Sequence, residues 1–497
     1  MCPAVARGRP GGMVAAGHPV TAEAGARVLR EGGNAVDAAI GAVLASWTAE
    51  PLLTGPGAGG YLLVAGSDWE PTLLDFFVAA PGFGASGDRS ELVEVSIDFD
   101  GDAEQAFHVG AASCGTYGAP AGVAAAIERW GSMSLADLAG PAAALAREGV
   151  LVTPAQAYLY ALLAPIVATS REGAATFLPG GSPPAERERF ALPELGDAID
   201  RLGREGAAPF YTGDIAAAIV AWVGERGGTL TAEDLAAYEA IAREPARVAY
   251  RGHEVLTNPP PSAGGTLLAF ALGVLDRAPG PPSLPAIVDA MAAAQEARTD
   301  DFLEGLTEPG FLGRFLASRL GSTTHISAVD AEGRCASVTC TNGEGSGLVV
   351  PGTGVHVNNI MGEEDLSPLG FHTAPPGRRM PSMMAPTAVV RRGEVELVLG
   401  SAGSNRIRSA LLQTIVGVID RGLDARAAVE APRAHFEHGL VYAEPDVPVQ
   451  ELEGRKVVAF RARNLFFGGV QAVARDPATG ALTGGGDPRR GGAVASP

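Results

Sequence analysis

Apolar positions near the start of this 497-residue chain recur at helical spacing. A helix is predicted over 21–30, with Thr21 as its N-cap and Gly32-Gly33 as its stop. A second is predicted to open at Asn34, with Asp37 three residues on as the other half of a capping box. Val36, Ala39, Ile40, Val43, Leu44 and Trp47 fall on one stripe of it. The run GPGAGG (55–60) follows, and then the strand-like YLLVAG. Residues 120–240 carry mostly helical periods, and a helix-rich pattern runs from 284 towards 320. Past Gly321 the period changes to alternation, predicting strands over 323–330, 334–341 and 394–399. A last helix-forming run, 405–421, places Ile407, Ala410, Leu411, Ile415, Val418 and Ile419 on one stripe and ends at Gly422. Helices, then strands, then a helix predict stacked layers of an α/β (α+β) protein rather than a parallel βαβ series.

The alternating segment contains a hairpin signal. Asp330-Ala331-Glu332-Gly333-Arg334 suits a three-residue loop, a type I turn closed by a left-handed glycine. Pairing Asp330 with Arg334 puts Thr323 opposite Thr341 on the same face. Opposed Cβ atoms lie about 4.5–5.5 Å apart, close enough for two hydroxyls to share a hydrogen bond. A slip of one residue would undo this. Two readings of the pair stand: an ordinary Thr–Thr contact between β-favouring residues, or a nucleophile with its partner.

The chemistry of the second reading is specific. A threonine hydroxyl is a weak nucleophile at neutral pH, and a free α-amine on the same residue can act as its base. That amine exists only if the Ser322–Thr323 bond is cut. Attack by the Thr323 hydroxyl on the preceding carbonyl would give an ester that water resolves, and Gly321 and Ser322 are small enough to leave room. Further on, the predicted strand 394–399 runs into Gly-Ser-Ala-Gly-Ser before the 405–421 helix. A glycine-containing loop at a helix N-terminus offers backbone N–H groups and the positive end of the dipole. The amides of Gly403 and Ser404 are candidates for an oxyanion site; an ordinary strand-to-helix turn is the alternative.

Composition narrows the field. With 46% hydrophobic and 19% charged residues the chain reads as globular. Its length suggests roughly three domains, fewer for a sheet-rich enzyme. A net charge of −19 argues against nucleic-acid or anionic membrane partners. Four cysteines (Cys2, Cys114, Cys335, Cys340) make no disulfide scaffold. Cys335 and Cys340 are an odd number apart, so one strand points them to opposite faces, as buried small hydrophobes. The N-terminal stretch shows no apolar run of signal-peptide length, and no apolar stretch approaches a span of about 20 residues, so a cytoplasmic location is expected. GPGAGG spells G-x-G-x-x-G, but with a helix before and a strand after, the reverse of a dinucleotide site; a tight packing turn is the reading. No serine has glycine at both −2 and +2, and there is no Walker A or H-E-x-x-H, so neither a metal nor another cofactor is expected. His325 reads as a supporting strand residue rather than a base.

GGNAVDAAIGAVL, GPGAGGYLL, APAGVAAAIERWG, LAREGVLVTPAQA, FYTGDIAAAIV, GGTLTAEDLAAYEA and NPPPSAGGTLL, followed by TTHISAVDAEG, NNIMGEEDLSP, MPSMMAPT and GSAGSNRI, together resemble one family over nearly the whole chain. It is the γ-glutamyltransferase (glutathione hydrolase) family of N-terminal-nucleophile hydrolases. The resemblance implies a four-layer αββα Ntn-hydrolase sandwich that cuts itself into a heterodimer. Residues 1–322 would form a mostly helical large subunit that also supplies outer strands. Residues 323–497 would form the small subunit, and the two would make one compact unit. It implies an amidohydrolase or acyl transferase that takes a small-molecule γ-glutamyl amide, such as glutathione, and passes the acyl group to water or an amine.

By position the resemblance makes Thr323 the nucleophile and Thr341 the threonine that orients it. Gly403 and Ser404 become the oxyanion pair, where the family often has Gly-Gly. Glu363 falls on the acid that holds the substrate's α-amino group, and Ser382 on the first of two serines at its α-carboxylate. There are departures. DFRE reads DFFV, so Phe77 stands in place of a carboxylate-binding arginine. Met383 replaces the second serine, and Ile360 a polar residue. Gly343 stands where a substrate-binding asparagine is usual, with Asn342 beside it as the candidate substitute. Losing a bidentate clamp forfeits strong charge-assisted bonds. The cutting machinery is kept while glutamyl recognition is altered. A non-glutamyl acyl amide, peptide-like or a β-lactam side chain, is therefore an alternative substrate, and an uncleaved binding protein an alternative role.

Overall fold

In the computed structural model, which describes residues 11–85, 89–98, 104–296, 324–367 and 370–497, two antiparallel sheets face each other with helices on both outer sides. The first sheet has seven strands in the order Ala493–Ala495, Met13–Ala16, Thr324–Val329, Cys335–Thr341, Gly59–Gly66, Trp69–Phe76 and Ile241–Arg243. The second has six, Leu482–Gly486, Gly469–Arg475, Glu394–Ala402, Thr387–Arg391, His253–Thr257 and Ala246–Tyr250. This is the expected αββα sandwich.

The period of two sorts the side chains into layers. Ile326, Ala328, Val338 and Cys340 join the core under the helices Pro19–Arg30, Ala35–Ala49 and Leu135–Glu148. Val329 and Cys335 turn the other way, into a middle core shared with Leu256, Val390, Val398 and Val473 of the second sheet. A third core packs that sheet against Ala263–Asp276, Leu284–Glu296 and Arg406–Ile419. The two cysteines thus occupy opposite faces, and with Cys114 they are buried and unbridged.

Local chemistry explains the element ends. Asn34 caps as expected: its Oδ1 accepts from the Val36 and Asp37 amides at 2.8 and 3.1 Å, and the Asn34 amide donates to Asp37 Oδ2 at 2.9 Å. The expected Thr21 cap is corrected. The helix starts at Pro19, whose fixed φ and missing N–H suit a first position, and His18 Nδ1 accepts from Val20 N at 3.1 Å. Thr21 instead spends its hydroxyl on Glu50 Oε1, 3.0 Å away. In the glycine run, a Cβ on Gly57 would fall 2.3 Å from the His356 carbonyl oxygen and one on Gly60 2.4 Å from that of Thr339. The glycines serve close backbone packing. The strand expected over 394–399 continues to Ala402, and the run 405–421 is not the last element: short strands after it complete both sheets.

Candidate active site

The hairpin has the expected register. Asp330 N donates to Arg334 O at 3.0 Å, Gly333 has φ +80°, and the ladder runs from Val329 opposite Cys335 to Thr324 opposite Cys340. Thr323 lies outside the described residues, as does the expected pair it makes with Thr341. Thr341 ends its strand 2% exposed, with Gly59 as its other neighbour. Its Oγ1 accepts from Gly343 N at 2.8 Å. One lone pair is thereby engaged, and the hydroxyl hydrogen remains to be donated elsewhere.

Behind Thr341 the backbone doubles back. Asn342 N donates to Leu53 O at 2.9 Å, and its carbonyl accepts from Asn359 N at 3.0 Å. Among the described residues its side-chain Nδ2 reaches only His356 O, at 3.4 Å. Asn358 clamps the loop to the glycine turn through Gly57 O at 2.9 Å and Gly115 O at 3.0 Å. Gly343 has φ +64°, and a Cβ there would lie 2.1 Å from Asn359 Oδ1 and 2.7 Å from Glu363 Oε1. The structure thus brings Thr341, Asn342, Gly343 and the buried Glu363 together.

The second element arrives from the other sheet. Glu394–Ala402 ends at Gly403 (φ +120°) and Ser404 (φ +56°), both buried, and their carbonyls accept the first helical bonds from Arg406 N and Ile407 N, each at 3.0 Å. A Cβ on Gly403 would fall 2.6 Å from Gly468 Cα, so only glycine fits. Ala402, Thr324 and His325 line one cavity, which places the start of the Thr324 strand beside this turn.

His325 fills the gap between the sheets. Its Nδ1 pairs with Thr339 Oγ1 at 2.8 Å and its Nε2 with Ser327 Oγ at 2.9 Å; Ser327 donates in turn to Gln471 O at 3.0 Å. Burial lowers its pKa to about 3, so it stays neutral and acts as a tie.

Ser382 stands at the start of the Ala263–Asp276 helix. Its carbonyl accepts from Ala263 N at 2.7 Å and Ser262 Oγ at 3.0 Å, and its Oγ accepts from Met384 N at 3.0 Å. Met383 turns away into the core under that helix. Phe77 and Ile360 lie in the middle core with Met361, Met380 and Met384. Phe77 stacks on Tyr61, ring centroids 5.5 Å apart at 27°. Close by, Arg243 Nη2 is 2.7 Å and Arg379 Nε 3.5 Å from the fully buried carboxylate of Asp75.

Sequence reasoning missed two charged residues of the cavity, Glu50 and Arg490. Glu50 Oε2 accepts from Thr324 Oγ1 at 2.8 Å; burial pushes its carboxyl up, against the Thr324 and Thr21 bonds and Arg490, which pull it down. Burial and the nearby Arg406 lower Arg490 to about 10, and its Nη2 lies 3.5 Å from where a Gly403 Cβ would sit. Both come from chain ends far from position 324, and no local pattern announces either.

With this geometry in hand, comparison with known proteins is direct. The family model described as Gamma-glutamyltranspeptidase matches residues 21–311 and 307–496. The chain is 32% identical over 512 residues to an acylase ACY 1 proenzyme of Pseudomonas sp. strain V22, covering 95% of this chain and 91% of the relative. It is 30% identical over 538 residues to the glutathione hydrolase proenzyme of Escherichia coli K12, covering 96% and 90%. The solved cephalosporin acylase from Bacillus halodurans superposes with a TM-score of 0.81 at 28% identity, covering all of this chain and 98% of that one.

Proposed function

The chain belongs to the gamma-glutamyltranspeptidase family, and from that membership we propose that it is a self-processing amide hydrolase or transferase whose acyl pocket takes a group without glutamate's charged head. The observation that carries the choice of acyl group is the Phe77–Tyr61 stack inside the middle core. A carboxylate seated there would have to leave water and find a cation to offset the loss, which is costly where the arginines described nearby already face another carboxylate. Arg243 is bonded to Asp75 at 2.7 Å, and Arg379 Nε lies 3.5 Å from the same carboxylate. Tyr61 Oη is buried without a protein partner among the described residues, and burial keeps it protonated. A neutral donor suits a neutral oxygen on the acyl chain. Two relatives named as acylases support the same reading.

In this proposal the Thr323 hydroxyl oxygen adds to the carbonyl of Ser322, the C–N bond breaks, and the nitrogen takes up the hydroxyl proton. That nitrogen is now the free α-amine of Thr323; water then hydrolyses the ester, giving back the Thr323 hydroxyl and leaving a carboxylate on Ser322. The chains 1–322 and 323–497 stay together as a heterodimer. In each turnover that amine accepts the hydroxyl proton as Thr323 attacks the substrate amide. Thr341 donates its free hydrogen to hold the nucleophile, and the amides of Gly403 and Ser404 face the developing oxyanion. The α-ammonium passes that proton to the substrate nitrogen, which leaves as an amine as the acyl-threonine forms; water or a second amine then takes the acyl group.

A γ-glutamyl substrate is the second reading, favoured by the Glu363 carboxylate beside Gly343. Hydrolysis of γ-glutamyl, glutaryl and hexanoyl p-nitroanilides by the mature protein separates the two. The proposal expects kcat/KM to rise as the head charges are removed; a preference for the γ-glutamyl compound of about tenfold, one lost charge-assisted bond, overturns it.

A further inference from the structure

Thr324 opens its strand with a side chain on the helix side of the sheet, the face of Ile326 and Ala328. Its Oγ1 donates to Glu50 Oε2 at 2.8 Å, and Thr21 Oγ1 donates to Glu50 Oε1 at 3.0 Å. Glu50 closes the C-terminus of the helix Ala35–Ala49, its amide donating to Ser46 O at 2.7 Å. All three residues are buried.

A carboxylate is a costly choice for this corner. It is out of water and at the negative end of a helix, and among the described residues it makes no ion pair. Arg490 draws on it from another wall of the same cavity. That cavity, about 30 Å³, has room for water but not for a substrate. The backbone is cleared for the carboxylate as well. A Cβ on Gly17 would fall 2.5 Å from Glu50 Oε2 and 3.3 Å from Thr324 Oγ1. A neutral side chain would fill the corner at less cost. What the carboxylate adds is a charge-assisted grip on the Thr324 hydroxyl.

That grip matters once the chain is cut. Severance at 322–323 leaves Thr324 second from a new N-terminus, and chain ends fray unless tied down. Glu50 belongs to the chain 1–322 and Thr324 to the chain 323–497, so their bond is a tie across the cut. We propose that Glu50 is a positioning residue for the nucleophile: through Thr324 it holds the severed strand end in place for attack. The inference rests on the self-processing reading above. A reacting group misplaced by about 1 Å can lose roughly a hundredfold in rate.

Anilide hydrolysis by matured variants, assayed well below their melting temperatures, tests it. Thr324→Val keeps the shape and removes the donor. Its kcat should fall at least about tenfold, the loss of one charge-assisted bond, with KM within about threefold. A merely structural bond would lower the melting temperature and leave kcat alone. Thr324→Ser should restore most of the loss. Glu50→Gln keeps an acceptor without the charge and carries the test if Thr324→Val is insoluble; its kcat should lie about threefold or more below the parent. In the Thr324→Val background, Glu50→Gln should change kcat by less than about twofold, since residues acting through one bond are not additive. A folded variant that stays one chain shows the same loss at the cutting step. Parent-like kcat in folded Thr324→Val or Glu50→Gln, a loss carried by KM, or additive losses overturns the proposal. A parent that neither matures nor hydrolyses an anilide overturns the self-processing reading and this inference together. A parent that does both, with unaffected variants, overturns this inference alone.

Discussion

Phe77 lies flat against Tyr61, and the residue that fixes it there is Asp75. The Phe77 amide donates to Asp75 Oδ1 at 2.9 Å, while Arg243 and Arg379 hold the same carboxylate from the side. An ion cluster at the end of one strand therefore aims an uncharged ring into the space between the sheets. In the proposed function, that apolar surface is what turns away a charged acyl head.

Restoring the arginine should therefore fail. Phe77→Arg places a cation in the middle core, where Asp75 is already doubly paired. The expected result is a loss of stability of about 3–5 kcal/mol, comparable to removing one partner of a buried pair, with no gain in γ-glutamyl hydrolysis. Phe77→Ala should cost a similar amount through its cavity, about 3–5 kcal/mol, while retaining the rank order of the anilides. Urea midpoints and the three-substrate comparison check both. A stable Phe77→Arg variant that prefers γ-glutamyl anilide would show that a carboxylate clamp can operate here after all.

Thr341 should matter through its hydrogen. Thr341→Val keeps the shape and loses both the bond from Gly343 N and the donor; Thr341→Ser keeps both. Maturation to two chains and anilide hydrolysis should each fall about a hundredfold or more in the valine variant, the order of one lost group at a reacting centre. The serine variant should stay within about tenfold, since a Thr-to-Ser change keeps the hydroxyl and loses one methyl. Denaturing gels over time and sequencing of the smaller fragment read this out. A first residue other than Thr323 would remove the basis for Thr341's role.

The sequence disclosed what is local. Asn34 and Asp37 cap their helix because both halves of the box sit within four residues. The hairpin register followed from Gly333, since only a turn of that length closes on a left-handed residue. The end strand Ala493–Ala495 and its neighbour Met13–Ala16 went unread, because each is three or four residues long and they meet from opposite ends of the chain. Thr21 looked like a cap because its partner, Glu50, is a tertiary one. Arg490 and Glu50 reach the Thr324 cavity by the same kind of long-range contact, which no period can encode.

The turn proposed to hold the oxyanion makes opposite demands on its two residues. Gly403→Ala would put a methyl 2.6 Å from Gly468 Cα at φ +120° and should abolish soluble, processed protein or reduce hydrolysis below detection. Ser404 sits at φ +56°, which costs a non-glycine residue roughly 1–2 kcal/mol. If the amide is what serves the oxyanion, as proposed, Ser404→Gly should keep hydrolysis within about threefold and leave the melting temperature equal or higher. A large loss of activity in Ser404→Gly with intact fold would assign the role to the side chain instead.

Acid should loosen the sandwich from its middle. His325 is neutral in the fold, with a pKa near 3, against about 6.5 for the free side chain. A depressed value means the unfolded chain binds the proton more readily. Its contribution to stability is thus full above about pH 6.5 and is lost as pH falls towards about 3. His18, His356 and His435, each lowered to about 4 by burial, act in the same direction. Melting temperature should fall steadily from pH 7 to pH 4.5. His325→Gln, which can still bond Thr339 and Ser327, should show a shallower slope; an unchanged slope would mean that His325 titrates normally.

Gly343 supplies the strictest test of the proposed change in glutamyl recognition. The asparagine usual at this position in the family would need a Cβ where Asn359 Oδ1 stands 2.1 Å away and Glu363 Oε1 2.7 Å away. Asparagine tolerates the φ of +64°, so the backbone is not the obstacle; the neighbours are. Asn359 cannot yield freely, because its Oδ1 accepts from Glu344 N at 3.0 Å and its backbone amide donates to Asn342 O at 3.0 Å. Gly343→Asn should then push the Glu363 loop off the strand end, slowing self-cleavage and lowering the melting temperature by several degrees, about 1–3 kcal/mol of overpacking. Adding Phe77→Arg should not recover γ-glutamyl activity, since it leaves the clash with Asn359 in place. Asn359→Gly in the Gly343→Asn background opens the space, and only that double variant should regain maturation. If Gly343→Asn alone matures at the parent rate, the loop moves more easily than its bonds imply, and the glycine is no barrier to a glutamyl substrate.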